Sequence, residues 1–408
     1  MPEAAEVAEQ AARRSYGRLL ALLARTTRDL LLAEDALADA FEQALRTWPE
    51  RGVPDNPEGW LLTVARNRWR DAVGSAAHRR RASLTEADGL AALPEVVDPD
   101  TLGDRRLELM LVCAHPGIDP VIRTPLMLQT VLGVDAARIA RAFAVPVPAM
   151  AQRLVRAKRR IRDAGIPFVV PDRRRLAERL PAVLEAVYAA FAVDDDPGVA
   201  AQDSLAGEAL HLARLLAGLL PEEPEVLGLV ALVALASARR PARAGGYVPL
   251  DEQDPHDWDP ALVDEGAGLL RRATVIVVAR GDRPGRFQLE AAIQAVHDAR
   301  LSTGVTDWDA VTRLYGALVS TAPTRGARVA LAAALGRSDG HDAGLAALDA
   351  LPESERARYQ PWWATRAHLL AGGGRTGEAR AAYAVALELT DDPAVVAYLT
   401  GRAAALPG

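Results

Sequence analysis

The chain has 408 residues, half of them apolar and 5% aromatic, with a net charge of −6. That length holds two or three domains at roughly 150 residues each, with cores built from Ala, Leu and Val rather than aromatic rings. The acidic balance argues against a general nucleic-acid coat, and the single cysteine, Cys113, excludes an intramolecular disulfide and a Cys-based zinc site. Met1–Gln10 is acidic and lacks an apolar signal core. Val226–Ser237 is apolar but shorter than the roughly 20 residues a membrane helix needs. The expectation is a cytoplasmic protein. Ala and Leu favour helices and β-branched clusters are scarce, so the expected fold class is all-α. Lys158 is the only lysine among the basic residues, as expected of a GC-rich genome.

Charge is unevenly spread. Residues 1–170 carry 24 basic and 22 acidic side chains, a net of +2, and residues 171–408 carry 24 and 32, a net of −8. The first elements are helices over Ala11–Arg28 and Leu30–Trp48. In the second, Leu37, Phe41, Leu45 and Trp48 form an apolar stripe, and Glu34, Asp35, Asp39 and Glu42 an acidic one. No His lies at helical spacing among these carboxylates, which leaves a solvated face ahead of a metal. Pro49–Pro54 reads as a loop. Asn56 followed by Pro57 is a helix start, an N-cap residue and then proline at the first helical position. That helix carries Trp60, Leu61, Val64 and Ala65 inward, with Arg66, Asn67, Arg68, Trp69 and Arg70 beyond them and Arg79–Arg81 at its end. Trp69 suits either base stacking or packing.

Residues 82–103 are acidic and read as a linker. Helices over Arg105–Ala114 and Pro120–Leu132 follow, with Pro125 in a first turn. Val134–Ala144 is a short helix with Ile139, Ala140 and Phe143 inward. Val145–Arg162 is a turn and then a basic amphipathic helix beginning near Pro148. Met150, Leu154, Ala157 and Ile161 recur at helical spacing. Gln152, Arg153, Arg156, Arg159 and Arg160 fall away from that face. Two helices, a tight turn and an Arg-rich second helix form the pattern of a helix-turn-helix. A solvated basic helix in an all-helical protein fits the same spacing.

The stretch IARAFAVPVPAMAQRLVRAKRRIRDAGIPF resembles region 4 of a bacterial extracytoplasmic-function (ECF) sigma factor of the sigma-70 family. The GIPF ending and the long tail resemble the subgroup with a C-terminal tetratricopeptide-like extension. AEDALADAFEQALRTWP looks like region 2.2 and GWLLTVARNRWRD like regions 2.3 and 2.4, although Asp71–His78 reads DAVGSAAH where such helices continue basic. The resemblance implies a region 2 domain over 1–82, a linker over 83–104, a region 4 helix-turn-helix over 105–168 and a helical repeat-like domain over 169–408. It implies that Asp35, Asp39, Phe41 and Glu42 contact core RNA polymerase. Arg66, Asn67, Arg68, Trp69 and Arg70 would then open the −10 element of promoter DNA. Gln152, Arg153 and Arg156 would read −35 bases, with Arg159 and Arg160 nearer phosphate. Each bidentate base contact discriminates by about 1–3 kcal/mol. Such a subunit performs no bond-making chemistry, so no catalytic residue, cofactor or metal is expected.

In the tail, helices are expected over Pro171–Phe191, Leu205–Leu220, Glu225–Arg240, Ala261–Arg280 and Phe287–His297. Trp363–Leu389 has the spacing of a tetratricopeptide repeat, with Ala367, Leu370, Gly374, Glu378, Ala379, Tyr383, Ala386 and Leu387, and Trp308–Leu351 reads as a more degenerate copy. Polar groups stand at Asp194–Asp196 with Glu208 and His211, at His256–Trp258, and at Trp362, Trp363 and His368. Where the subgroup carries NEGY-, HDAR- and LNRAVA-like motifs, this chain is read as having Val193–Asp196, Ala236–Arg239 and Ala330–Ala334. Two rival expectations follow from those departures. One is a sigma-like scaffold that has lost promoter function and binds a small molecule or catalyses a reaction through its tail. The other is a repeat-based protein-binding adaptor. Under the sigma reading the acidic tail regulates the protein by folding back onto the basic helix.

Overall fold

The computed structural model describes residues 2–81, 104–193, 204–243 and 247–407. The linker read at 83–104, apart from Asp104, and Asp194–Asp196 fall outside the described residues. All regular structure among the described residues is helical. The helices form two compact units, residues 1–215 and 216–408.

The first unit opens with α1 (Pro2–Thr27), α2 (Leu30–Arg51) and α3 (Pro57–Arg81). Asp29 starts α2 by accepting from the Leu31 amide at 2.9 Å, and Asn56 starts α3 by accepting from the Gly59 amide at 2.7 Å. Both oxygens satisfy amides that the first turn leaves without an intrahelical partner. Pro49 lies inside the last turn of α2 rather than in a loop, and Gly52, at φ 85°, ends the helix. The buried face of α2 is Leu30, Ala33, Ala36, Leu37, Ala40, Ala44 and Trp48. The stripe expected through Phe41 and Leu45 is therefore displaced: Phe41 is half-buried and Leu45 is 51% exposed. Alanines carry that face because α1 and α3 pack closely against it. In α3, Leu61, Leu62 and Ala65 are buried, while Trp60 and Val64 are half-buried. Trp60 instead meets Trp48 edge-on, with ring centroids 5.5 Å apart.

Four further helices follow, α4 (Arg106–Cys113), α5 (Pro120–Leu132), α6 (Ala136–Ala142) and α7 (Val147–Asp163), and then α8 (Arg173–Ala192). Asp119 and Pro120 start α5, and Gly133 at φ 66° ends it. Pro125 is buried in the body of α5, one turn later than expected. Backbone contact ties α5 to α1. A Cβ on Gly17 would lie 1.7 Å from the Val131 carbonyl oxygen, so only glycine fits. Cys113 is buried with Sγ 3.6 Å from the Thr130 hydroxyl, and burial pushes its thiol up to about 12. Helix α9 (Leu205–Leu219) contains the division between the units.

In the second unit, α10 (Pro224–Ala238) is buried along nearly its whole length between α11 (Pro260–Arg280) and α12 (Arg286–Asp298). The Glu225 carboxylate of α10 accepts from the amides of Phe287 and Gln288, each at 3.2 Å, and so caps the start of α12. A short α13 (Arg300–Thr303) leads to α14 (Trp308–Thr321), α15 (Arg325–Ser338), α16 (His341–Asp349), α17 (Glu353–Arg356), α18 (Gln360–Gly372), α19 (Thr376–Glu388) and α20 (Pro393–Ala404). Sequence neighbours pack together, and α16 also packs on α18. The pairing expected from Trp363–Leu389 is present as α18 and α19. Ala367, Leu370, Ala379, Tyr383 and Ala386 are buried, and Gly374 turns at φ 74°. Between them and α15 and α16, Gly336 and Gly344 allow Leu369 to approach within the reach of an added Cβ.

Candidate nucleic-acid interface

Helix α6 is held by Asp135, which accepts from the Ala137 and Arg138 amides at 2.9 Å each. A short turn with Ala144 at φ 52° leads into α7, which has Pro146 at its cap position and no side-chain cap. The four expected positions, Met150, Leu154, Ala157 and Ile161, are buried. Phe143 is half-buried at the end of α6. Gln152, Arg153, Arg156, Arg159 and Arg160 are all exposed. Arg156 donates to the Gln152 side-chain oxygen at 3.2 Å, and Arg160 to the Gly117 carbonyl at 3.4 Å. None of these four arginines forms an ion pair among the described residues. Arg153, Arg156 and Arg160 rim a cleft of about 660 Å³ floored by Ile118, Ile122 and Ala157. Asp119 also lines the cleft, but it pairs with none of them, and the result is a run of unpaired guanidinium groups with a hydrogen-bonding amide among it, suited to phosphates and base edges.

Two further cations of α7 differ from these four: Arg162 pairs with Asp163 at 2.9 Å, and Lys158 turns inward. Lys158 is 5% exposed, and its ammonium donates to both Glu34 oxygens, at 2.6 and 2.7 Å. Burial raises the Glu34 carboxyl above its usual range, against the opposing pull of Lys158. Burial and the nearby Glu34 also raise the Tyr16 hydroxyl. Glu34 therefore leaves the acidic stripe read from the sequence and faces the protein. A lone lysine among arginines, one turn beyond Leu154 on the inward side, was the available signal. Its partner was not legible, because the two lie 124 positions apart.

The acidic face of α2 keeps Asp35, Asp39 and Glu42, all exposed, with Phe41 half-buried beside them. Leu32 adds apolar surface, at 39% exposed. On α3, Arg68 and Arg70 are exposed, and Asn67 and Trp69 are half-buried. Arg66 is also half-buried. Its Nε lacks a partner among the described residues, and burial followed by Arg70 lowers its pKa. The side chains of Arg79–Arg81 lie outside the described residues.

The polar groups singled out in the tail are separate features. Glu208 and His211 meet Arg106 and Asp104, at 2.5 and 3.2 Å. His256 is exposed and hydrogen-bonds Asp254 at 2.9 Å. Trp362 donates to the Leu348 carbonyl at 3.0 Å, and Arg356 and Arg366 lie 5.3 and 5.2 Å from its ring. These contacts support helices and turns.

Two family models match parts of the chain. Residues 11–81 match the sigma-70 region 2 model, and residues 179–274 match a family of unknown function, DUF6596. The uncharacterized protein R00370 of Rhizobium meliloti (strain 1021) is 36% identical over 395 residues, spanning 92% of this chain and 90% of that protein. The chain belongs to the same family as R00370. No solved structure matches. This family member thus carries a sigma-70 region 2 domain formed by α1–α3, followed by helical parts that include the DUF6596 match, and its role is sigma-factor-like. Region 2 implies contact with core RNA polymerase and promoter DNA in general. No helix among the described residues is long and apolar enough to cross a membrane.

Proposed function

We propose that the protein is an ECF-type sigma factor, a dissociable subunit that directs core RNA polymerase to particular promoters. The observation that carries this reading is the sigma-70 region 2 match over residues 11–81. The open acidic face of α2 supports it, with Asp35, Asp39, Phe41 and Glu42 as the polymerase contacts. Arg66, Asn67, Arg68, Trp69 and Arg70 act at the −10 element, with exposed Arg68 and Arg70 meeting phosphate first. Helices α6 and α7 act as a helix-turn-helix. Gln152, Arg153 and Arg156 read −35 bases, and Arg159 and Arg160 hold the backbone. The parts are those read from the sequence: region 2 over 1–82, a linker over 83–104, region 4 over 105–168 and a regulatory, tetratricopeptide-like domain over 169–408. The protein works in the cytoplasm, without catalysis or a cofactor.

Run-off transcription with core polymerase and promoter DNA selected by the full chain tests this. Specific transcripts are expected, and they should be lost on reversing Asp35 and Asp39 to Lys. A chain that neither joins core polymerase nor yields a transcript would rule the reading out.

A further inference from the structure

The second unit holds one of its own loops against a set of cations. Residues 247–253 read Tyr-Val-Pro-Leu-Asp-Glu-Gln. They form a turn in which the Glu252 and Gln253 amides donate to the Pro249 carbonyl at 3.0 and 3.2 Å. Side chains from helices distant in sequence converge on that turn. Arg300 of α13 donates to the Asp251 carbonyl at 3.0 Å and also to the Gln253 carbonyl. Arg337 of α15 donates to the Asp251 carboxylate at 3.2 Å. Arg402 of α20 lies 3.6 Å from the Glu252 carboxylate, and the Tyr398 ring lies 5.0 Å from that of Tyr247.

The receiving side chains have independent support. Arg337 rests over the Trp308 ring at 4.8 Å, and Arg300 over the Trp258 ring at 5.4 Å. The carboxylates are held less firmly. Side-chain exposures are 41% and 40% in the Arg337–Asp251 pair, and 41% and 50% in the Arg402–Glu252 pair. Exposed ion pairs are weak and screened by salt. Guanidinium groups read carbonyls and carboxylates by direct hydrogen bonds. Gln253 is buried and anchored on the Val248 carbonyl at 2.9 Å, so the two exposed carboxylate contacts are the exchangeable part of the loop.

We propose that this face is a binding site for an acidic peptide segment of a partner protein, and that Tyr247–Gln253 is the chain's own occupant of it. The ligand is a turn with adjacent carboxylates and an aromatic ring four residues before the first. A tethered occupant competes at an effective concentration on the order of millimolar. A partner segment therefore binds when it brings more contacts than the loop does. The site does not depend on the promoter reading.

The probe is a fluorescein-labelled peptide with the sequence of residues 247–253, followed by anisotropy on the full chain. In Asp251→Asn/Glu252→Gln the internal segment loses both carboxylates, and the probe should bind at least tenfold more tightly than to the unaltered chain. Adding Arg337→Ala/Arg402→Ala should remove that gain. No tightening, a gain indifferent to the two arginines, or equal competition by a single-stranded oligonucleotide would overturn the proposal. Circular dichroism melting verifies the fold of each variant. If the double variant fails to fold, Glu252→Gln alone must tighten the probe by about threefold, and an unchanged affinity there is equally decisive.

Discussion

Arginine has contrasting surroundings on α7 and in the second unit. On α7, Arg153, Arg156, Arg159 and Arg160 are exposed and form no ion pair among the described residues. In the second unit, Arg239, Arg337, Arg356 and Arg366 lie 3.1, 3.2, 3.5 and 2.6 Å from carboxylates. A guanidinium that a fold uses for itself is given an acceptor. A row left without carboxylate partners is available to an external anion. Lys158 sharpens the contrast, since it shares α7 with the open row yet belongs to the core.

The largest expected effect comes from breaking that exception. Lys158→Met leaves the Glu34 carboxylate buried without its partner, which costs about 3–5 kcal/mol. Urea denaturation of the first unit's transition measures it. Adding Glu34→Gln should recover much of the loss. An unchanged midpoint for the single variant would mean that the pair is not buried in solution.

The next effect concerns the paired set. Arg239 binds Asp298 at 3.1 Å beside His297. Burial pushes the Asp298 carboxyl up to about 6 and the His297 imidazole down to about 4. A raised carboxyl favours the folded state below its unfolded value of about 3.9, and that contribution is lost as pH rises to about 6. A lowered imidazole acts oppositely. Its contribution is full above about 6.5 and is lost as pH falls to about 4. The two slopes offset each other over about pH 4–6. Asp298→Asn should therefore expose a stability that rises with pH by up to about 1.4 kcal/mol per unit, and His297→Gln should expose a falling one. Thermal melts across that range read both, and flat profiles in both variants would contradict the assignment.

Smaller effects separate ordinary surface pairs from the open row. Arg366→Ala removes a partner of Asp349 and should cost about 1 kcal/mol or less. Arg159→Ala removes no partner and should alter stability by no more than about 0.5 kcal/mol, while weakening duplex binding in a fluorescence titration. A stability loss at Arg159 equal to that at Lys158 would erase the distinction.

Much of this was legible in the sequence, for identifiable reasons. The inward face of α7 followed from helical spacing, and the starts of α3 and α7 from Asn56–Pro57 and Pro148. The exposed row followed because arginines on the far side of an apolar stripe have nowhere else to go. What the local pattern does not carry depends on distant partners. Alanines displaced Phe41 and Leu45 from the buried face of α2 because neighbouring helices approach closely. Glu34 left the acidic stripe because Lys158 reaches it from α7. The close approach at Gly17 depends on α5. A local pattern fixes which face of a helix is apolar, but not which polar group at its edge will be covered.

The most direct test of the central claim is the salt dependence of promoter binding by the full chain with core polymerase. The slope of log affinity against log salt falls by about 0.9 for each phosphate contact removed. Changing Arg153, Arg156, Arg159 and Arg160 together to Ala should flatten the slope by about 2 to 4, since contacts to bases contribute less than those to phosphate. A slope identical in the unaltered and altered chains would show that this face of α7 does not meet DNA.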